Sequence, residues 1–157
     1  MTAHASETEE RKNEIQVVVF TLGNEDFAFD ISDIKEIIRV PDITTVPNSP
    51  DFVEGVINLR GQIKTVLNLK KRLGSNEIEI KEDGRIMIVE NDGQSFGVIV
   101  DSVIGVFKIE REQISDPSSL LGKERSDFIR GIGRIDDRLV ILLGPEKLFP
   151  LEEMAQS

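Results

Sequence analysis

The sequence predicts an all-β protein made of two similar lobes, each read as a small closed barrel. Two observations predict it. Short apolar runs alternate with turn signals along most of the chain, and the pattern of the first half returns in the second at a fixed spacing. Closure into barrels suits short strands because it removes exposed edges.

Taken in order, residues 1–14 are polar, acidic and aperiodic, which predicts a disordered tail. Ile15 to Leu22 is apolar and β-branched, and Gly23-Asn24-Glu25-Asp26 turns it into Phe27-Ala28-Phe29. From Asp30 to Ile38 the apolar residues fall at 31, 34, 37 and 38, a spacing that predicts a short helix capped by Asp30 or Ser32. Pro41, Pro47 and Pro50 mark a loop. Phe52 to Leu59 and Gln62 to Leu67 read as strands joined by the Arg60-Gly61 turn, and Asn68 to Leu73 as a short helix ended by Gly74. Arg85 to Val89 and Phe96 to Val100 flank Asn91-Asp92-Gly93, a hairpin turn. Gly105 to Ile109 is a further strand, and 110–126 a polar loop. Phe128 to Ile135 and Leu139 to Leu143 are strands joined by Asp136-Asp137-Arg138, and Pro145 opens a helix running toward Met154.

The repeat is specific. Phe52, Gly55, Val56, Leu59, Ile63, Val66, Leu67 and Lys71 match Phe128, Gly131, Ile132, Ile135, Leu139, Leu142, Leu143 and Lys147, each 76 residues on. Phe27-Ala28-Phe29-Asp30-Ile31 resembles Phe96-Gly97-Val98-Ile99-Val100, with Ile34 against Val103 and Ile37 against Val106, all 69 residues on. The seven-residue difference places an insertion within 110–126. The chain is thus expected to form one lobe over about 15–75 and another over about 80–150, with separate but touching cores and a tail over 151–157.

Composition narrows the function. A net charge of -10 repels phosphate backbones and anionic lipid, and the one basic run, Lys70-Lys71-Arg72, reads as the last turn of a helix. No apolar run approaches the ~20 residues of a membrane span, the N-terminus is not a signal peptide, and Cys is absent, which together favour the cytoplasm. His4, in the tail, is the one histidine, so zinc sites and Ser-His or Cys-His relays are not expected. Phosphate-loop and HExxH motifs are absent, and Gly131-Ile132-Gly133 reads as a strand bend. Glu110, Glu112 and Asp116 sit in a polar loop, Asp136 and Asp137 in a turn, and Glu90-Asn91-Asp92-Gly93 lacks the spacing of a calcium loop. We expect no catalysis, no metal and no cofactor.

The strongest local signature is Gly55-Val56-Ile57-Asn58-Leu59-Arg60-Gly61. Gly61 permits the positive φ of a tight turn, Asn58 can bond nearby backbone, and Arg60 stands at the tip or along a lobe edge. There its guanidinium can fork onto a partner's carboxylate. A solvated turn residue is the other reading, and the residues alone leave both open.

With FAFDISDIKEI, VPNSPDFVEGVINLRGQIKTVLNL, FGVIVDSVIGV, FIRGIGRIDDRLVILL and EKLF, the chain resembles the CheW family of chemotaxis coupling proteins from Ile15 to about Phe149. It departs at Thr65, where the family usually has Pro, and at Gly144, usually acidic or polar. The resemblance implies two SH3-like five-stranded barrels. It implies two partners, the cytoplasmic tip of chemoreceptors and the regulatory domain of the histidine kinase CheA, and recruitment to membrane-associated receptor arrays. It places receptor binding at Ile34, Glu36, Asn58, Leu59 and Arg60, in a groove between the lobes, with Gly61 supporting the turn. Kinase contacts it places only at barrel ends.

Two alternatives compete. A CheV-type adaptor or a fragment of CheA would need a further domain, and only a short tail follows Phe149. A small-ligand-binding β protein would need an apolar cavity, whereas the interior positions here are bulky Ile, Val, Leu and Phe.

Overall fold

The computed structural model describes residues 13–74, 81–116 and 128–148. Ten strands form: β1 (Glu14–Leu22), β2 (Glu25–Asp30), β3 (Ile34–Arg39), β4 (Val53–Leu59), β5 (Gln62–Asn68), β6 (Arg85–Asn91), β7 (Gln94–Val100), β8 (Ser102–Glu110), β9 (Ile129–Ile135) and β10 (Arg138–Leu143). Two one-turn helices follow the late hairpins, α1 (Leu69–Arg72) after β5 and α2 (Pro145–Leu148) after β10. Asn68 caps α1, its Oδ1 accepting from Lys71 N at 3.2 Å.

The strands make two five-stranded sheets, ordered β8-β1-β2-β10-β9 and β3-β6-β7-β5-β4. Each closes through a bridge between its edges. Beyond β3, Thr44 pairs with Val56 of β4; beyond β8, Ser115 pairs with Ile132 of β9. We call the sheet containing β1 barrel 1 and the other barrel 2. The seven extra residues of the second half divide at this bridge. Ser115 lies 71 residues past Thr44, so two precede it and five fall between it and Phe128.

The repeat survives to the level of hydrogen-bond register. Val66 faces Gly97 as Leu142 faces Ala28, and Met87 faces Val98 as Val18 faces Phe29. The irregularity between Ile34 and Glu36 recurs near Gly105, and that between Val53 and Gly55 recurs near Gly131.

The expected partition into 15–75 and 80–150 does not hold. Barrel 1 takes β1 and β2 from the first half and β8, β9 and β10 from the second; barrel 2 takes β3, β4, β5 and then β6, β7. The cause lies at two junctions. The β2 strand runs through a single 3-10 turn, Ile31–Asp33, directly into β3 of the other barrel, and β7 runs through Asp101 into β8. Each half therefore gives its first hairpin to the barrel completed by the other half.

The cores correct a second expectation. Alternate residues of the central strands face opposite ways. On β1, Ile15, Val17 and Val19 fill barrel 1, while Val18, Phe20 and Leu22 face barrel 2; on β6, Ile86 and Ile88 fill barrel 2, while Met87 and Val89 face barrel 1. The largest cluster is thus shared between the barrels, with Phe20 stacked on Phe27 and Phe29 at centroid distances of 6.0 and 5.3 Å. Strands buried on both faces explain the unbroken apolar runs, and each such Phe contributes about 1.5–3 kcal/mol by burial.

Two smaller expectations change. Ile34 to Ile38 is strand, with helix-like geometry confined to the 3-10 turn that Asp30 caps through Ser32 N at 3.0 Å. Asn13 and Glu14 belong to the fold, since Asn13 O accepts from Arg111 N at 2.7 Å and Glu14 faces Glu110. The rest of the 1–14 tail with His4, the 151–157 tail and the helix beyond Leu148 lie outside the described residues.

Candidate functional site

The β4–β5 turn is tight because both central residues adopt positive φ, Arg60 at 51° and Gly61 at 85°, as a two-residue type I′ hairpin requires. Asn58 Oδ1 accepts from Gly61 N at 2.9 Å and locks the tip. The turn ends β4, one edge of barrel 2, while Glu36 stands on β3, the other edge. Closure brings the edges together, and Arg60 Nη2 donates to Glu36 Oε2. Arg60 remains 70% exposed while its backbone is fixed, so its other guanidinium donors face solvent.

Glu36, Leu59 and Arg60 line one groove of about 250 Å³ at the mouth of barrel 2. Leu59 also packs on the barrel 2 core. Lys35, Gln62, Lys64 and Ser95 complete the polar wall, with Lys64 Nζ donating to Ser95 Oγ at 2.6 Å and Lys35 paired to Glu90 at 3.1 Å. Sequence reasoning missed these four; Gln62 and Lys64 lie two apart on β5 beside the turn, and that alternation was the available signal. Ile34 is not brought to the groove; it packs on the shared core. The groove lies at one barrel's mouth, whereas the resemblance implied one between the lobes.

Barrel 1 has a counterpart of about 90 Å³ lined by Val19, Asp26, Ile104, Phe107, Ile135, Asp136, Arg138 and Val140. Seven of these are the repeat partners of Ile88, Ser95, Lys35, Leu59, Arg60, Gln62 and Lys64. Position for position the mouths match, but the chemistry differs. Arg60 becomes Asp136, Lys35 becomes Ile104, and Glu36 becomes Gly105, so the edge-to-edge pair is lost. Asp26 and Arg138 pair at 2.7 Å instead.

Perturbed carboxyls lie elsewhere. Burial raises Asp33 above the ordinary range against the pull of Arg130. A hydrogen bond that the protonated Glu110 carboxyl donates to Glu112, then the charge of Glu112, raises exposed Glu110. Neither lines the groove, and among the described residues no group of three or more His, Cys, Asp or Glu is placed to hold a metal. Among them, too, no helix is long and apolar enough to cross a membrane.

Comparison with known proteins agrees with this geometry. The family model described as a CheW-like domain matches residues 16–153. The chain is 38% identical to the chemotaxis protein CheW of Thermotoga maritima, over 86% of this chain and 87% of that one. It is 35% identical to CheW of Klebsiella aerogenes, over 89% and 84%. The crystal structure of the scaffolding protein TtCheW from Thermoanaerobacter tengcongensis superposes with a TM-score of 0.81 at 39% identity, covering 87% of this chain and 92% of that one.

Proposed function

Since the chain belongs to the CheW-like family of chemotaxis adaptors, we propose that it couples chemoreceptor cytoplasmic tips to the regulatory domain of the histidine kinase CheA, by binding both and without catalysis. The proposed receptor surface is the mouth of barrel 2, with Glu36, Asn58, Leu59 and Arg60 as site residues and Gly61 holding the turn. Ile34 supports this surface from behind, through β3. The observation that carries the proposal is the Glu36–Arg60 pair, which aims a well-exposed guanidinium out of a rigid tip. A preset Arg loses little side-chain freedom on meeting a partner's carboxylate, the property of an interface anchor.

The kinase binds a different face. The mouth of barrel 1 supports that assignment because the repeat builds it from equivalent positions with other chemistry: Ile104 stands where the first mouth has Lys35, and Asp136 where it has Arg60. Two such mouths let one small chain hold two partners at once and bring it to the membrane-associated array.

The test is a pull-down with a receptor cytoplasmic fragment and the CheA regulatory domain, separately and together. The expected result is binding of each alone and of both in one complex. Failure to retain either one, or mutual displacement of the two, overturns the proposal.

A further inference from the structure

We propose that Arg72 is a positioning residue that fixes the orientation of the two barrels relative to each other. The shared core between them is apolar, and apolar contact is not directional. Arg72 adds a polar, planar contact across that seam, and such a contact is directional. Its guanidinium carbon lies 4.2 Å from the ring centre of Phe52 and 4.8 Å from that of Phe128. These two rings are repeat partners: Phe52 leads into β4 of barrel 2 and Phe128 into β9 of barrel 1. The same side chain donates from Nε to Leu148 O at 3.0 Å.

Leu148 is itself the repeat partner of Arg72, 76 residues on, so two equivalent positions meet and one of them has become arginine. Arg72 thus stands where the two halves would otherwise be alike, on a helix held at its other end by the Lys70–Asp101 pair at 2.8 Å. A flat cation facing two rings, with its edge tied to a carbonyl, restricts sliding and rotation together. On the reading that each barrel mouth holds its own partner, this clamp sets the angle between the two partners.

The experiment needs no partner, so its failure is separate from any failure of that reading. The chain has no cysteine, so Ile63→Cys and Leu139→Cys place spin labels on equivalent exposed positions of the two late hairpins. Pulsed electron resonance then gives the distance distribution in the parent, in Arg72→Leu and in Arg72→Lys. We expect a single narrow distance in the parent, a displaced or broadened distribution in Arg72→Leu, and an intermediate one in Arg72→Lys. A residue that merely stabilises would lower the melting temperature and leave the distances of the folded molecule as they were. Parent-like distances in both variants overturn the proposal. If Arg72→Leu does not fold, Arg72→Lys decides alone, and a parent-like distribution there overturns it.

Discussion

Glu36 and Arg60 are 24 residues apart in the chain, one on an edge strand and the other in the turn that ends the opposite edge strand of the same sheet, and their side chains meet only because that sheet closes. The pair is a report on closure as well as a binding feature. An exposed pair of this kind contributes at most about 1 kcal/mol to stability, so its main effect is to aim the guanidinium.

Arg60→Ala should therefore shift stability by no more than about 0.5 kcal/mol. It should cost receptor binding about 2 kcal/mol, roughly a thirtyfold loss of affinity. Arg60→Glu should cost more, by repulsion of a partner carboxylate. The exchange Glu36→Arg with Arg60→Glu restores a pair of opposite charges, and should recover stability without recovering receptor affinity. Calorimetric titration and thermal melts on the same proteins check this; parent-like receptor affinity in Arg60→Glu is the outcome that defeats it.

Two glycines near this seam should behave differently. A Cβ on Gly61 meets no atom, so Gly61→Ala carries only the strain of its φ of 85°, on the order of 1 kcal/mol. At Gly55, with φ at 154°, a Cβ would overlap the Thr44 carbonyl oxygen and the Ile43 side chain, in the bridge that closes barrel 2. Gly55→Ala should cost at least twice as much and expose the Thr44 and Val56 amides to exchange. Urea titration with hydrogen exchange distinguishes the two, and equal costs would contradict this account.

Lys70 and Asp101 form a pair with side chains only 8% and 12% exposed, and Asp101 also accepts from Gly23 N at 2.7 Å. Removing one partner strands the other in the interior. Lys70→Met should destabilise by about 3 kcal/mol. Adding Asp101→Asn should cost less than the two single losses combined, because the stranded charge disappears. Strictly additive losses in a double-mutant cycle would show that the two residues do not act as a pair.

Asp33 gives a pH dependence. Desolvation raises its carboxyl above 3.8 more strongly than Arg130 lowers it, with Asp30 and Glu146 adding repulsion. The native state thus holds this proton more tightly than the unfolded chain. The contribution to stability is complete below the unfolded value near 3.8 and is lost as pH rises through the raised native value. Asp33→Asn removes that loss, so relative to the parent it should gain stability between about pH 3 and about pH 7. Urea midpoints at the two pH values check the sign; a relative loss on going to neutral pH would reverse it.

The turns were legible because their chemistry is local: Arg60-Gly61, Asp92-Gly93 and Asp136-Asp137 each adopt positive φ between paired strands. The helix read into Ile31–Ile38 shows where legibility ends. A bulge between Ile34 and Glu36 breaks the period of two, so Ile34 faces the shared core and Ile38 the interior of barrel 2, four residues on. A strand interrupted in this way imitates helical spacing. The lobe boundaries failed for another reason. A repeat tells which segments are alike and not which pair, and hairpins buried on both faces carry no mark of the barrel they join. The Glu36–Arg60 contact follows from closure, so the turn alone brought Arg60 forward and only family resemblance added Glu36.

The exchange of first hairpins makes this chain equivalent to a domain-swapped dimer of one five-stranded unit, joined head to tail. Neither barrel can be excised by cutting at a single peptide bond. A break in the connection between Gly74 and Arg85 instead yields two fragments of five strands each, and each fragment lacks a part of both barrels. Each fragment is therefore expected to complete its barrels only with the other, as the halves of a split reporter do, and circular dichroism of the fragments apart and mixed checks this.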